Sequence, residues 1–124
     1  VPIFAKRIYA GEPITIYGDG SQTRDLVNVK DVANANYIAV MSKIKTDVFN
    51  LGRGSSITIN DLPKQMIEIN GEKTEIIYAP ECPADVKHCK ANVEKAKKVL
   101  GFSANVGLYE GLTDYLEWFK INYI

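Results

Sequence analysis

With 124 residues the chain has length for one domain around one core. Fifteen Lys and Arg balance fifteen Asp and Glu, which excludes the broad positive field that gathers nucleic-acid phosphates; any phosphate bound here is held locally. No apolar run approaches the roughly 20 residues of a membrane span and no basic-then-apolar leader opens the chain, so the expectation is a soluble, cytoplasmic domain with no membrane partner.

The opening "VPIFAKRIYAG" lacks Met and already lies inside an amphipathic pattern, which predicts a piece of something longer. Ile3, Phe4, Ile8 and Tyr9 follow helical spacing, with Gly11 as the stop. "ITIY" and "RDLVNV" are β-branched and aromatic runs around Gly18, Asp19 and Gly20, a composition that supplies positive φ and predicts a hairpin. Asp31 stands where an N-cap would for a helix to about Lys43. Ala33, Tyr37, Val40, Met41 and Ile44 share one face of it and Val32, Ala35 and Ala39 another, which predicts cover from two sides.

"DVFNLG" predicts a short strand running into Gly52 and Gly54, and Asn60 caps a helix to about Ile69 with Gly71 after it. Glu75 to Tyr78 is another strand, and "APECPADVKHCKA" is irregular. Asn92 caps a helix with Val93, Ala96, Val99 and Leu100 inward and Gly101 beyond. Leu108, Leu112, Tyr115, Leu116 and Phe119 mark a last helix, whose aromatic stripe with Trp118 is core packing. The alternation makes this an α/β chain.

Arg24 is the first candidate for chemistry. A guanidinium is a planar, permanently charged fork that matches two phosphate oxygens, and a glycine turn ahead of it can add backbone N–H groups. The other reading, which residue physics alone favours, pairs Arg24 with Asp25, Asp31 or another surface carboxylate. "NLGRG", Asn50 to Gly54, lacks the third glycine and downstream acid of a dinucleotide loop and reads as a tight turn. Cys82, His88 and Cys89 lack the four paired ligands of structural zinc, so the thiols read as reduced and incidental, and no metal site is expected. Lys87 and Lys90 flank His88 on what reads as a solvated face. No close carboxylate pair and no Ser, His and Asp arrangement is spaced for catalysis, so no catalytic residue is assigned.

Five motifs in order, "IYGDGSQTRDLVNVKDVANA", "VFNLGRG", "APECPADVKH", "KANVEKAKKVLGF" and "LYEGLTDYLEWF", resemble the C-terminal half of NAD-dependent nucleotide-sugar epimerases and dehydratases. These are the extended short-chain dehydrogenases, and the likeness is greatest to the UDP-glucose 4-epimerase type. The resemblance implies that residues 1–124 are a single nucleotide-sugar-binding region. It comprises the substrate-binding domain plus the last Rossmann elements, without the N-terminal dinucleotide-binding half.

It further implies that Arg24 contacts the nucleotide pyrophosphate, with Thr15, Ile16, Tyr17, Gln22 and Thr23 nearby on the base and ribose. Asp85 falls near the ribose. The family's second phosphate arginine falls at Cys82, a departure for which Lys87 is the nearest compensating cation. NAD is implied for the full-length protein, but its glycine loop and the Tyr-x-x-x-Lys pair are not on this chain, so no cofactor-binding residue is assigned. The implied partner is a nucleotide sugar, a UDP-sugar first, in a fragment inactive alone whose bare apolar surface drives a homo-oligomer. The rival is a stand-alone, non-catalytic binding or interaction remnant.

Overall fold

The computed structural model describes residues 1–124. Four α-helices and four short strands occur in the order α1 (Pro2–Ala10), β1 (Ile14–Tyr17), β2 (Thr23–Arg24), α2 (Val29–Met41), β3 (Ile57–Thr58), α3 (Asp61–Asn70), β4 (Ile76–Ala79) and α4 (Leu108–Tyr123). A π-helical turn, Ala96–Leu100, precedes α4.

β1 lies parallel to β4, with Ile14 opposite Ile76 and Tyr17 opposite Ala79. β2 lies antiparallel to β3, with Thr23 opposite Thr58, and its other edge takes a parallel bridge from Thr23 to His88. The expected hairpin is therefore absent. Gly18 and Gly20 do adopt the left-handed φ that the turn chemistry requires, at 76° and 72°. The turn is fastened to distant groups instead. Gly18 N–H donates to Ala79 O, and Asn60 gives its backbone N–H to Gly20 O and its side-chain amide to Asp19 O.

The main core joins Ala5 and Ile8 of α1, Ile14 of β1, Leu62 and Met66 of α3, and Leu112, Leu116 and Phe119 of α4. Gly11, Gly71 and Gly101 end their helices in the left-handed conformation, as their positions predict. Trp118 departs from the expected core stripe and stands half exposed, packed edge-on against Tyr123.

Four further expectations need correction. Asn28, not Asp31, caps α2, its Oδ1 accepting from Lys30 N–H at 2.8 Å. Asp31 is buried and accepts from the backbone N–H groups of Asn105 and Val106, a long-range bond that no local pattern displays. "DVFNLG" forms no strand, and Val99 is half exposed rather than inward. Finally, α2 is covered on one side only. Ala35 packs with Ala96 and Phe102, whereas Tyr37, Val40 and Met41 lie open at 64%, 81% and 68% exposure.

A Cβ added at Gly20 would fall 2.1 Å from Asn60 Oδ1, and that amide is not free to move because Tyr78 OH donates to it and it donates to Asp19 O. Gly20→Ala should therefore cost about 2 kcal/mol or more, from left-handed strain plus a broken hydrogen bond, seen as a lowered thermal midpoint.

Candidate functional site

The residues singled out in the sequence converge where the turn after β1 meets the loop that follows β4. Residues 81–90 of that loop are exposed throughout. Its far end is drawn along β2: Thr23 N–H donates to Lys87 O at 2.9 Å and Cys89 N–H to Thr23 O at 3.1 Å. This strip brings Asp85 and Val86 to Arg24.

Arg24 is seated on both its flanks. Nη1 donates to Val86 O at 2.6 Å and to Thr23 O at 2.8 Å, and Nη2 donates to the Asp85 carboxylate. Asp85 also accepts from Gln22 Nε2 at 3.4 Å, and the same amide donates to Tyr17 O at 2.8 Å. Gln22 is itself buried. Of the seven predicted residues, Tyr17, Gln22, Thr23, Arg24 and Asp85 thus share one bonded cluster, in which Arg24 is paired with a carboxylate. Three of the five guanidinium N–H donors are engaged, and Nε–H and one Nη2 N–H have no partner in the chain. Thr15 and Tyr17 lie on the opposite face of β1 from Ile14 and Ile16; the Ile16 side chain is buried, leaving only its backbone to a ligand.

Asp25 holds this frame from behind. Its carboxylate accepts from the backbone N–H groups of Arg53 (2.9 Å), Gly54 (3.0 Å) and Ala91 (3.2 Å). The sequence suggested Asp25 only as a possible partner of Arg24; its adjacency to Arg24 on an extended strand was the available signal, since neighbours there point to opposite sides. Val86 O is a backbone contribution that no side-chain pattern announces.

Gly52 and Gly54 do not fit a dinucleotide. A Cβ at Gly52 would strike Ala91 at 2.6 Å and the Asp25 carboxylate at 2.8 Å, and one at Gly54 would meet Val93 at 3.0 Å, so the turn packs against protein. Cys82 and Cys89 are free and exposed, and no group of three or more His, Cys, Asp and Glu gathers as a metal site would require. No helix is long and apolar enough to cross a membrane.

A groove of about 880 Å³ lies elsewhere, between residues 26–30, the start of α4 and the α4 face bearing Tyr115, Trp118 and Ile121. None of the seven predicted residues lines it. Lys30 donates to Asp114 at its edge, and that bond holds the Lys30 ammonium above its usual pKa.

Residues 1–52 match the NAD dependent epimerase/dehydratase family. A UDP-glucuronate 4-epimerase of Thermodesulfobacterium geofontis is 36% identical over 96% of this chain and 37% of its own length. The crystal structure of a UDP-glucose 4-epimerase of Thermotoga maritima with UDP-glucose superposes with a TM-score of 0.91 at 40% identity, over 98% of this chain and 39% of that one. In sequence and fold the chain is similar to NAD-dependent epimerase/dehydratase proteins. A UDP-glucuronic acid 4-epimerase of Bacillus cereus, solved with UDP-glucuronic acid and NAD, has a TM-score of 0.90 at 28% identity. The chain spans between a third and two fifths of the length of these relatives. The epimerase-type, extended Rossmann resemblance read from the five motifs therefore stands, and with it the α/β class.

Removing the Asp25 carboxylate strands three backbone donors from two loops. Asp25→Ala should destabilise the chain by about 2 to 4 kcal/mol, with Asp25→Asn recovering part of that loss, both measured by urea unfolding.

Proposed function

We propose that residues 1–124 form the nucleotide-sugar-binding portion of an NAD-dependent UDP-sugar epimerase-type enzyme, not catalytically competent alone. The observation that carries this reading is Arg24, fixed by two carbonyls and a carboxylate yet keeping two donors for an anion. In this reading the diphosphate takes those donors, the half-exposed Tyr17 ring offers a face to the base, and Thr15, Ile16 backbone, Gln22 and Thr23 border the nucleoside. Asp85, already holding Arg24, stands beside the ribose. UDP-sugars are the first ligands to try because structures of relatives contain UDP-glucose and UDP-glucuronic acid. Free thiols at Cys82 and Cys89 accord with a cytoplasmic setting.

A second reading, a non-catalytic interaction remnant, draws on the open Tyr37, Val40 and Met41 face of α2. Such apolar surface favours a homo-oligomer. Sedimentation at rising concentration is expected to show dimers or larger; a compact monomer throughout would refute that element.

For the binding reading, UDP at 100 times its dissociation constant should stabilise the chain by about 2.7 kcal/mol in a thermal-shift series, and Arg24→Ala should abolish the shift. Equal midpoints with and without UDP, dTDP and UDP-sugars would overturn it.

A further inference from the structure

The surface around Arg24 carries more carboxylate than uncommitted positive charge. Glu81 lies against Gly18, Asp19 pairs with Lys87, and Arg24 is already partnered by Asp85. A diphosphate brought into such a place needs a cation that is not committed elsewhere. Lys87 follows directly after Val86, whose carbonyl Arg24 sits on.

Its backbone is fixed and its head is not. The carbonyl of Lys87 accepts from Thr23 N–H at 2.9 Å, directly after the Val86 carbonyl on which Arg24 sits. The ammonium reaches to Asp19, at 3.6 Å from Oδ1, beyond hydrogen-bond length, with the two side chains 51% and 69% exposed. That same Oδ1 already accepts from Ser21 N–H at 2.9 Å and Ser21 Oγ at 2.6 Å. Ser21's hydroxyl and N–H are also the main reason the Asp19 carboxyl sits below its usual pKa, with Lys87 a smaller contributor. Asp19 thus stays charged and fixed when Lys87 leaves. Exposed pairs of this length are the kind that contribute little and exchange partners readily.

We infer that Lys87 and Asp19 form a releasable latch beside Arg24, in which the Lys87 ammonium moves from the Asp19 carboxylate to the phosphate groups of a nucleoside diphosphate seated on Arg24. The inference rests on the nucleotide-binding reading above and adds the second cation of that site. Arg24 is the fixed anchor, and Lys87 is the part that changes partner on binding.

Titration calorimetry of the 124-residue chain with UDP and, separately, with uridine tests this. Lys87→Ala should weaken UDP about 10-fold and leave uridine unchanged, while Lys87→Arg should stay within about 2-fold of the parent for UDP. Asp19→Asn, which keeps the oxygen bonded to Ser21 but loses the charge, should tighten UDP a few-fold in the Lys87 protein and have no such effect when combined with Lys87→Ala. Parent-like UDP affinity in Lys87→Ala, or an equal loss for uridine, overturns the latch while leaving Arg24's role intact. Failure of the unsubstituted chain to bind UDP overturns the nucleotide reading itself, and the latch with it.

Discussion

The site depends on a carboxylate that does not face it. Asp25 accepts three backbone N–H groups from the 53–54 turn and from Ala91, tying two loops to the end of β2. Loops have no ladder of their own to satisfy their donors, so an ionised acceptor at one point holds them where hydrophobic burial cannot. With Ala91 held, the preceding strip lies along Thr23 and delivers Val86 O and Asp85 to the neighbouring guanidinium. Asp25 faces the scaffold and Arg24 faces the loop after β4, because successive side chains on an extended segment diverge.

That construction decides what Arg24 is able to do. Its carboxylate partner is one of the readings that residue physics allowed, and a diphosphate contact is what the family resemblance implies; the two are compatible because a guanidinium has more donors than Asp85, Val86 and Thr23 consume. Pinning the side chain removes rotamer freedom that a ligand would otherwise have to freeze. The cost is charge: Asp85 neutralises much of the field that would draw an anion, and a second, looser cation becomes valuable.

The apolar surface has a different logic. α2 buries Ala35 and leaves Tyr37, Val40 and Met41 in water, and the 880 Å³ groove beside α4 is likewise lined mostly by apolar side chains. A helix that is apolar almost all round is a mark of burial on several sides, and here one side only is satisfied. The main core, by contrast, is closed by α1, β1, α3 and α4 without help from that face.

Local chemistry was legible in the amino-acid order. Glycines 11, 71 and 101 stop helices because only they reach left-handed φ without penalty, and the 3.6-residue stripe of α4 places Leu112, Leu116 and Phe119 inward. Partner choice was not legible. The turn at Gly18 to Gly20 has hairpin chemistry, yet β1 pairs with β4 and β2 with β3, since strand pairing rewards burial of Ile14 and Ile16 among segments sixty residues away rather than the nearest neighbour. Asp31 has a cap's side chain, but its acceptors' partners, the N–H groups of Asn105 and Val106, arrive only in three dimensions. Short-range conformational preference is a property of each residue and its neighbours; which donor meets which acceptor across the chain is settled by packing, and only the tertiary structure records it.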